Sequence, residues 1–263
     1  MEMNASILWR RAGRVWVQGL LLLGLRLTHL RMGFNPVTGL SVPSIPGKVL
    51  AAAIIICIAA ELVLCWRLPK GRASFAKHFA LPEKAAPFGV AGSLLLAAGG
   101  ILLLTGAVPD RVIAAIAAGV LAVAAGAGFL LLLRAMRSGD ADIPAWPVLP
   151  ALFFSVFFVL AVYLPGENDP VLGRIYLPIL AAAAMAYAFG QLAGFLRREG
   201  SLRSYAFMTN LAIMLCIAAM ADGGGLGRML LFAGCAVILT VFSVLRREGA
   251  EPDVEEKKEP KKA

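Results

Sequence analysis

Glu61 is the only acidic residue that lies well inside a long apolar run of this sequence. A carboxylate in lipid is costly, so we expect Glu61 to face protein or a water-filled cavity, or to be protonated. In a transport path it would bind a proton or a cation. A structural interpretation is also open. Glu61 precedes Arg67 by six residues, about 9 Å along a helix, where water or a loop lysine could reach the carboxylate.

Two cysteines lie on the same helical stripe, because Cys57, Glu61 and Cys65 follow one another at four-residue spacing. Thiolate and carboxylate ligands suit a soft or borderline metal ion. No histidine lies nearby, however, and cysteine is a common apolar filler. The sequence also lacks the P-loop, zinc-protease, nucleophile-elbow and C-x-x-C motifs. We therefore predict no metal site, no cofactor and no catalytic residue, and we disfavour an enzyme.

Asn35-Pro36 and Asp169-Pro170 mark two connections between apolar runs. Each pair favours a turn, since the Asx side chain can bond to the backbone ahead of it. Two such turns could form a paired lid over a cavity open to the outside. A simpler interpretation is that each pair only turns the chain between two membrane spans.

A basic segment follows the helix of Glu61, and its cations are Arg67, Lys70, Arg72, Lys77 and Lys84. Phe75 and Phe79 lie among these cations and are four residues apart. A short helix here would press both rings into the membrane interface and place the cations on anionic headgroups. The sequence thus predicts a lipid contact for this segment and no nucleic-acid site.

Composition requires a membrane environment for the elements that position these residues. Hydrophobic residues make up 60% of the 263 residues and charged ones only 16%, whereas soluble domains are about a quarter charged. The apolar runs lack period-2 alternation and are about the 20 residues that a spanning helix needs. We predict an all-α integral membrane protein with about eight spans, at 15–30, 49–66, 88–107, 112–133, 148–164, 175–196, 205–221 and 228–245.

The first of these spans is the one for which three interpretations compete. Arginines ahead of a leucine-rich run suggest a signal peptide, but no small-residue cleavage site follows. An in-plane amphipathic helix is a second possibility, although leucines interrupt its polar face. The third is a true span whose Arg26, His29 and Arg31 extend to the outer headgroups.

The distribution of basic residues predicts the orientation of the helices. Of the 25 lysines and arginines, 19 fall in segments on one side of the predicted spans and 6 on the other. Cytoplasmic loops carry such an excess. We therefore predict a cell-membrane protein with both termini in the cytoplasm, and we assign its net charge of +9 to topology.

An internal repeat is suggested by a shift of 130 residues. It places Trp16, Leu50-Ala51-Ala52-Ala53, Glu61-Leu62 and Arg67 on Trp146, Leu180-Ala181-Ala182-Ala183, Gln191-Leu192 and Arg197. The two Asx-Pro turns correspond at a shift of 134. We predict two parallel four-helix repeats, 1–134 and 135–246, followed by a disordered cytoplasmic tail at 247–263. If the halves pack about a pseudo-twofold axis, Glu61 and Gln191 could meet and hydrogen-bond.

Two classes of function stay open. The first is a small-solute transporter, or the membrane subunit of one, with a polar cavity between its halves. The second is a non-catalytic membrane scaffold, sensor or assembly factor, whose halves would meet in a dry seam of alanine and leucine. Lipid is the predicted partner in both cases. The sequence does not decide the substrate, the oligomeric state or the partner subunits.

Overall fold

The computed structural model describes residues 5–35, 40, 42–68, 72–73, 75, 79, 85–106, 112–138, 143–166, 175–222 and 225–245. Within these ranges the chain is almost wholly helical. The α-helices, in chain order, are α1 (Ala5–Met32), α2 (Ile45–Trp66), α3 (Ala86–Thr105), α4 (Val112–Ser138), α5 (Leu149–Gly166), α6 (Tyr176–Leu196), α7 (Leu202–Ala219) and α8 (Gly225–Val244). The only strands among the described residues, β1 (Arg72–Ala73) and β2 (Gly200–Ser201), pair antiparallel.

A helix lies at each of the eight predicted positions. Six helices, α2, α3, α4, α6, α7 and α8, are long and apolar enough to cross a membrane in the part of the chain described. The chain is therefore a multi-pass membrane protein with an all-α fold. The apolar helix Trp146–Ala161, which contains most of α5, is shorter than these six. The first helix, α1, carries several polar side chains. That α1 and α5 also cross the membrane therefore stays a prediction. The predicted tail, 247–263, lies outside the described residues.

The ends of α2 show how local chemistry bounds a span. At its start the Ser44 hydroxyl accepts a hydrogen bond from the Gly47 amide at 3.3 Å, and a proline occupies the first turn. At its end the Arg203 guanidinium donates to the carbonyl oxygens of Trp66 and Leu68, at 2.6 and 2.8 Å. Arg203 thus supplies donors to carbonyls that have no partner within the helix.

Six helices form a closed ring. Each helix from α3 to α7 packs against the next one along the chain, and α8 packs against both α7 and α3. Successive antiparallel helices joined by short connections pack side by side, and an even number of them can close with every neighbouring pair antiparallel. The ring therefore contains helices from both predicted repeats.

The interior of the ring is filled by phenylalanine. The Phe129 ring of α4 lies 5.5 Å from that of Phe189 on α6 and 5.7 Å from that of Phe242 on α8, centre to centre. Phe158 of α5 similarly meets Phe232 of α8 at 5.4 Å. These contacts join helices that are not neighbours in the ring, and all five side chains are buried. The centre of the ring is thus an apolar aromatic core.

Glycine brings α3 and α8 into close contact. A β-carbon added at Gly234 of α8 would lie 2.6 Å from the backbone nitrogen of Leu96, and one at Gly99 of α3 would lie 2.7 Å from that of Leu231. Small residues at helix crossings are the usual packing device inside membranes. At these positions α3 and α8 approach too closely for a solute to lie between them.

Helices α1 and α2 lie outside the ring. α1 packs mainly against α7, and the Trp16 indole N–H donates to the Thr240 hydroxyl of α8 at 2.9 Å. α2 packs against α1 and α7. The counterparts of α1 and α2 in the predicted repeat, α5 and α6, are instead members of the ring. The two halves therefore do not pack alike, and the duplication stays a prediction from sequence.

Phe75 and Phe79 lie inside the protein and not in the lipid interface that we predicted for them. Both side chains are buried, and their rings stack at 4.7 Å. Phe79 also makes edge contacts with Phe195 and Tyr205, at 5.2 and 5.7 Å. The reason is the pairing of β1 with β2, which holds this segment against the α6–α7 connection.

Candidate functional site: two buried polar networks on the first helix

One network joins three helices around Glu61, and we call it the inner network after its side in the predicted orientation. Its carboxylate oxygen Oε2 accepts a hydrogen bond from the Arg14 guanidinium of α1 at 3.0 Å. The same oxygen accepts a second one from the Asn210 side-chain amide of α7 at 2.7 Å. The Glu61 side chain is fully buried, whereas that of Arg14 is 36% exposed. The charge that lipid would penalise is therefore paired within the protein.

The position of Glu61 follows from the buried stripe of α2. That stripe consists of Leu50, Cys57, Glu61 and Cys65, at spacings of seven, four and four residues, which places all of them on one face of a helix. The face packs against α1 and α7. Among the described residues, no group of three His, Cys, Asp or Glu side chains is placed to hold a metal ion.

Two atoms of the inner network and one of the adjacent Gln18 are buried without a hydrogen-bond partner in the described part of the chain. They are Glu61 Oε1, Arg14 Nε and Gln18 Oε1. Gln18 follows Arg14 by one helical turn, so both side chains project from the same side of α1. Each of these atoms retains a hydrogen-bonding capacity of the kind that buried water molecules satisfy in proteins.

A second network, called the outer network after the same predicted orientation, is centred on Arg26 of α1, whose side chain is completely buried. Its Nε donates to Asp222 Oδ1 at 2.6 Å, and its Nη2 also contacts that oxygen. Asp222 belongs to the short turn that follows α7, and its side chain is 3% exposed. Arg26 also donates to the Tyr176 hydroxyl at 3.3 Å and lies 4.9 Å from the centre of that ring. The network thus links α1, α6 and the end of α7.

His29 completes the outer network, and its protonation follows from geometry. Arg26 Nη1 lies 2.9 Å from His29 Nδ1. A guanidinium can only donate, so Nδ1 accepts and the imidazole is neutral with its proton on Nε2. Glycines allow the chain to pack closely against this ring, because a β-carbon at Gly33, just after α1, would lie 2.6 Å from His29 Nε2 and one at Gly47, in the first turn of α2, would lie 3.0 Å from it. His29 is therefore held as a structural acceptor.

The two networks hold α1 at two depths in the bundle. Arg14 and Arg26 are twelve residues apart, about 18 Å along a helix. Asn210 and Asp222 are also twelve residues apart, and α1 and α7 run in the same direction. Equal spacing on parallel neighbouring helices brings Arg14 level with Asn210, both of which donate to Glu61, and Arg26 level with Asp222. The matching spacing is visible in the sequence and could have indicated these contacts. We instead assigned Arg14 to membrane topology and Arg26 to the outer headgroups.

No family model, no curated protein and no solved structure matches the chain.

Gln191 occupies a different place from the one that the repeat suggested. Its side-chain oxygen accepts a hydrogen bond from the backbone amide of Ser201 at 3.3 Å. It therefore stabilises the α6–α7 connection, while Glu61 is paired with Arg14 and Asn210. The structure does not form the expected hydrogen bond between Glu61 and Gln191, because the two side chains take partners from different helices.

The remaining predicted site residues are only partly described. Asn35 is exposed, and its backbone amide donates to the carbonyl oxygen of Leu40 at 2.9 Å. Arg67 is exposed where α2 ends, and the backbone of Arg72 belongs to β1. The other predicted residues lie outside the described part of the chain: Pro36, Asp169, Pro170, Lys70, Lys77 and Lys84.

Replacing Glu61 tests the inner network. Glu61→Ala leaves Asn210 and Arg14 without the Glu61 acceptor, and we expect a loss of about 2 kcal/mol in stability, at the lower end for such a pair because the Arg14 side chain is partly exposed. Glu61→Gln keeps an acceptor oxygen and should lose about half as much. Thermal unfolding of the purified protein in detergent measures both. Glu199→Ala, at an exposed position, is the control, and equal melting temperatures for the two alanine variants would contradict the assignment.

Proposed function

We propose that this protein is a non-catalytic membrane scaffold and does not transport a solute. The observation that carries the proposal is the interior of the six-helix ring, where phenylalanine side chains from α4, α5, α6 and α8 meet. A solute path through the ring would need polar side chains or a water-filled space at the same place. The close contact between α3 and α8 at Gly99 and Gly234 supports the same conclusion.

The edge formed by α1 and α2 is the part of the scaffold best suited to a partner. Only 22% of the apolar window of α2 is buried within the protein, less than in any other span of the described chain. Its large apolar side chains face outward along the whole helix, among them Ile55, Ile56, Val63 and Trp66. The two polar networks hold α1, and through it α2, in a defined position on the ring. An apolar helix presented in this way can pack against a membrane-embedded partner.

Transport remains the second candidate because of one specific observation. α1 carries a charged pair near each end: the partly exposed Arg14 with the buried Glu61 of α2, and the buried Arg26 with Asp222 after α7. Charged side chains inside membranes often mark ion or substrate pathways. If the two pairs opened alternately, the segment of α1 between them would become accessible to water from one side at a time.

Leu22 provides the test, because it lies on α1 between the two networks and is buried. The four native cysteines, all buried, are first replaced by alanine, and Leu22→Cys is then introduced. A scaffold predicts no reaction of this thiol with a membrane-impermeant maleimide from either side of sealed vesicles. Denaturation in SDS should then expose it. Labelling of the folded protein from one side would favour transport and overturn the scaffold proposal.

The same vesicles test the proposed orientation in the cell membrane, with both termini in the cytoplasm. Arg31 and Arg67 are exposed near opposite ends of the α1–α2 pair. In the cysteine-free background, Arg31→Cys should react from the outside and Arg67→Cys from the inside. These two variants are also the positive controls for Leu22→Cys. The reverse pattern would contradict the orientation without affecting the scaffold proposal.

A further inference from the structure

An apolar groove runs along the outside of the bundle between the beginning of α3 and the end of α4. Its open volume is about 920 Å³, near the upper end of the roughly 300–1,000 Å³ typical of small-molecule sites. The residues that line it are Ala86, Pro87, Val90, Ala91, Leu94, Met136 and Arg137. With one exception these side chains are apolar, so the walls suit a hydrocarbon chain.

Close packing beneath the groove fixes its shape. Gly89 faces Leu133 of α4, and a β-carbon at Gly89 would lie 2.7 Å from a methyl group of that leucine. The two helices therefore approach closely at this level. Pro87, Val90 and Leu94 of α3 are exposed on the outer side of this contact, where the lipid of a membrane would lie. The groove is thus open to the bilayer.

A positive charge lies at one end of the groove. Arg137 lines it in the last turn of α4, and Arg134 lies one turn earlier on the same side of the helix. Both are exposed. Neither takes part in a hydrogen bond or ion pair among the described residues. Two guanidinium groups that have no partner in the described part of the chain, at the end of a span, are suited to a phosphate, which they can bind with directed hydrogen bonds.

We propose that the groove binds one anionic phospholipid. An acyl chain lies against Val90, Ala91 and Leu94, and the headgroup phosphate contacts Arg137 and Arg134. Basic residues at this level of a membrane protein attract acidic lipids. The apolar walls add the contact area that an isolated surface arginine lacks. The site is separate from the α1–α2 edge and does not depend on the scaffold proposal.

Native mass spectrometry of the full-length protein tests the site. The protein is titrated with phosphatidylglycerol and with phosphatidylcholine of the same acyl chains. We expect the wild-type protein to bind one phosphatidylglycerol at least five-fold more tightly than phosphatidylcholine. Glycerol 3-phosphate, which has the phosphate without the chains, should not compete. Competition by glycerol 3-phosphate would show an anion site that makes no use of the groove.

Two matched pairs of variants separate the groove from general attraction to charge. Arg137→Gln should weaken phosphatidylglycerol binding about five-fold, while Arg197→Gln, which removes an exposed cation at the end of α6, should leave it unchanged. Ala91→Trp should fill the groove and abolish the preference. Ala98→Trp, at an exposed position two turns further along the same face of α3, should not. Equal effects within either pair would overturn the proposal.

Discussion

Asp222→Ala is expected to destabilise the protein by about 3–5 kcal/mol, the usual cost of breaking a buried ion pair by removing one partner. Both side chains are shielded from solvent, with exposures of 0% for Arg26 and 3% for Asp222, so screening by water does not reduce the effect. The substitution removes the carboxylate that binds Arg26 and leaves the buried guanidinium in contact with His29 and Tyr176. Both are neutral. The loss should appear as a lower melting temperature in detergent and a lower yield of folded protein.

A second substitution distinguishes the charge from the volume of the side chain. Arg26→Met combined with Asp222→Ala removes both charges, and we expect it to recover part of the stability lost in Asp222→Ala. Glu199→Ala removes an exposed carboxylate and should melt like the wild-type protein. If Asp222→Ala also melted like the wild type, the outer network would not hold α1 to the bundle.

Gly234→Val is expected to destabilise the ring by about 3 kcal/mol, at the upper end of what overpacking costs. The added β-carbon would lie 2.6 Å from the Leu96 backbone nitrogen and 2.9 Å from the Gly92 carbonyl oxygen. Both are backbone atoms, so no side chain can rotate to make room, and α3 and α8 must separate. We expect a lower melting temperature and earlier aggregation on size exclusion in detergent.

Gly24 supplies the matched control for Gly234. It is a helical glycine of α1 that faces outward, and a β-carbon there would meet nothing within 4 Å. Gly24→Val should therefore be neutral or slightly stabilising, since glycine is a poor helix former. Gly234→Ala should fall between the wild type and Gly234→Val. Equal stability of the two valine variants would show that α3 and α8 are not in tight contact.

The helices could be predicted from sequence because their causes are local. Each backbone N–H bonds to a carbonyl four residues away, and lipid leaves an apolar segment no other way to satisfy these groups. Runs of apolar residues thus indicated a helix at every one of the eight positions. The same rule singled out Glu61 as a residue that needs a partner inside the protein.

The partners of Glu61 could not be predicted, because they come from distant parts of the chain. Arg14 is 47 residues away and Asn210 is 149 away. Periodicity on α2 indicates which face is buried, but it does not indicate which helix covers that face. The repeat suggested Gln191, and the packing of α2 against α1 and α7 decided otherwise. Phe75 and Phe79 show the same limit. We predicted that both rings would contact lipid, but the pairing of β1 with β2 holds them in a buried aromatic cluster.

By itself, the sequence determined that this is an all-α membrane protein, where its helices lie and which carboxylate is costly to bury. These properties depend on short-range hydrogen bonding and on the apolarity of continuous segments. Only the tertiary structure decided that α3–α8 close into a ring with an aromatic core and that α1 and α2 lie outside it. It also decided that Arg26 is paired with Asp222, 196 residues away. Such pairings depend on which helices become neighbours, and similar apolar surfaces leave that choice to the packing of the whole bundle.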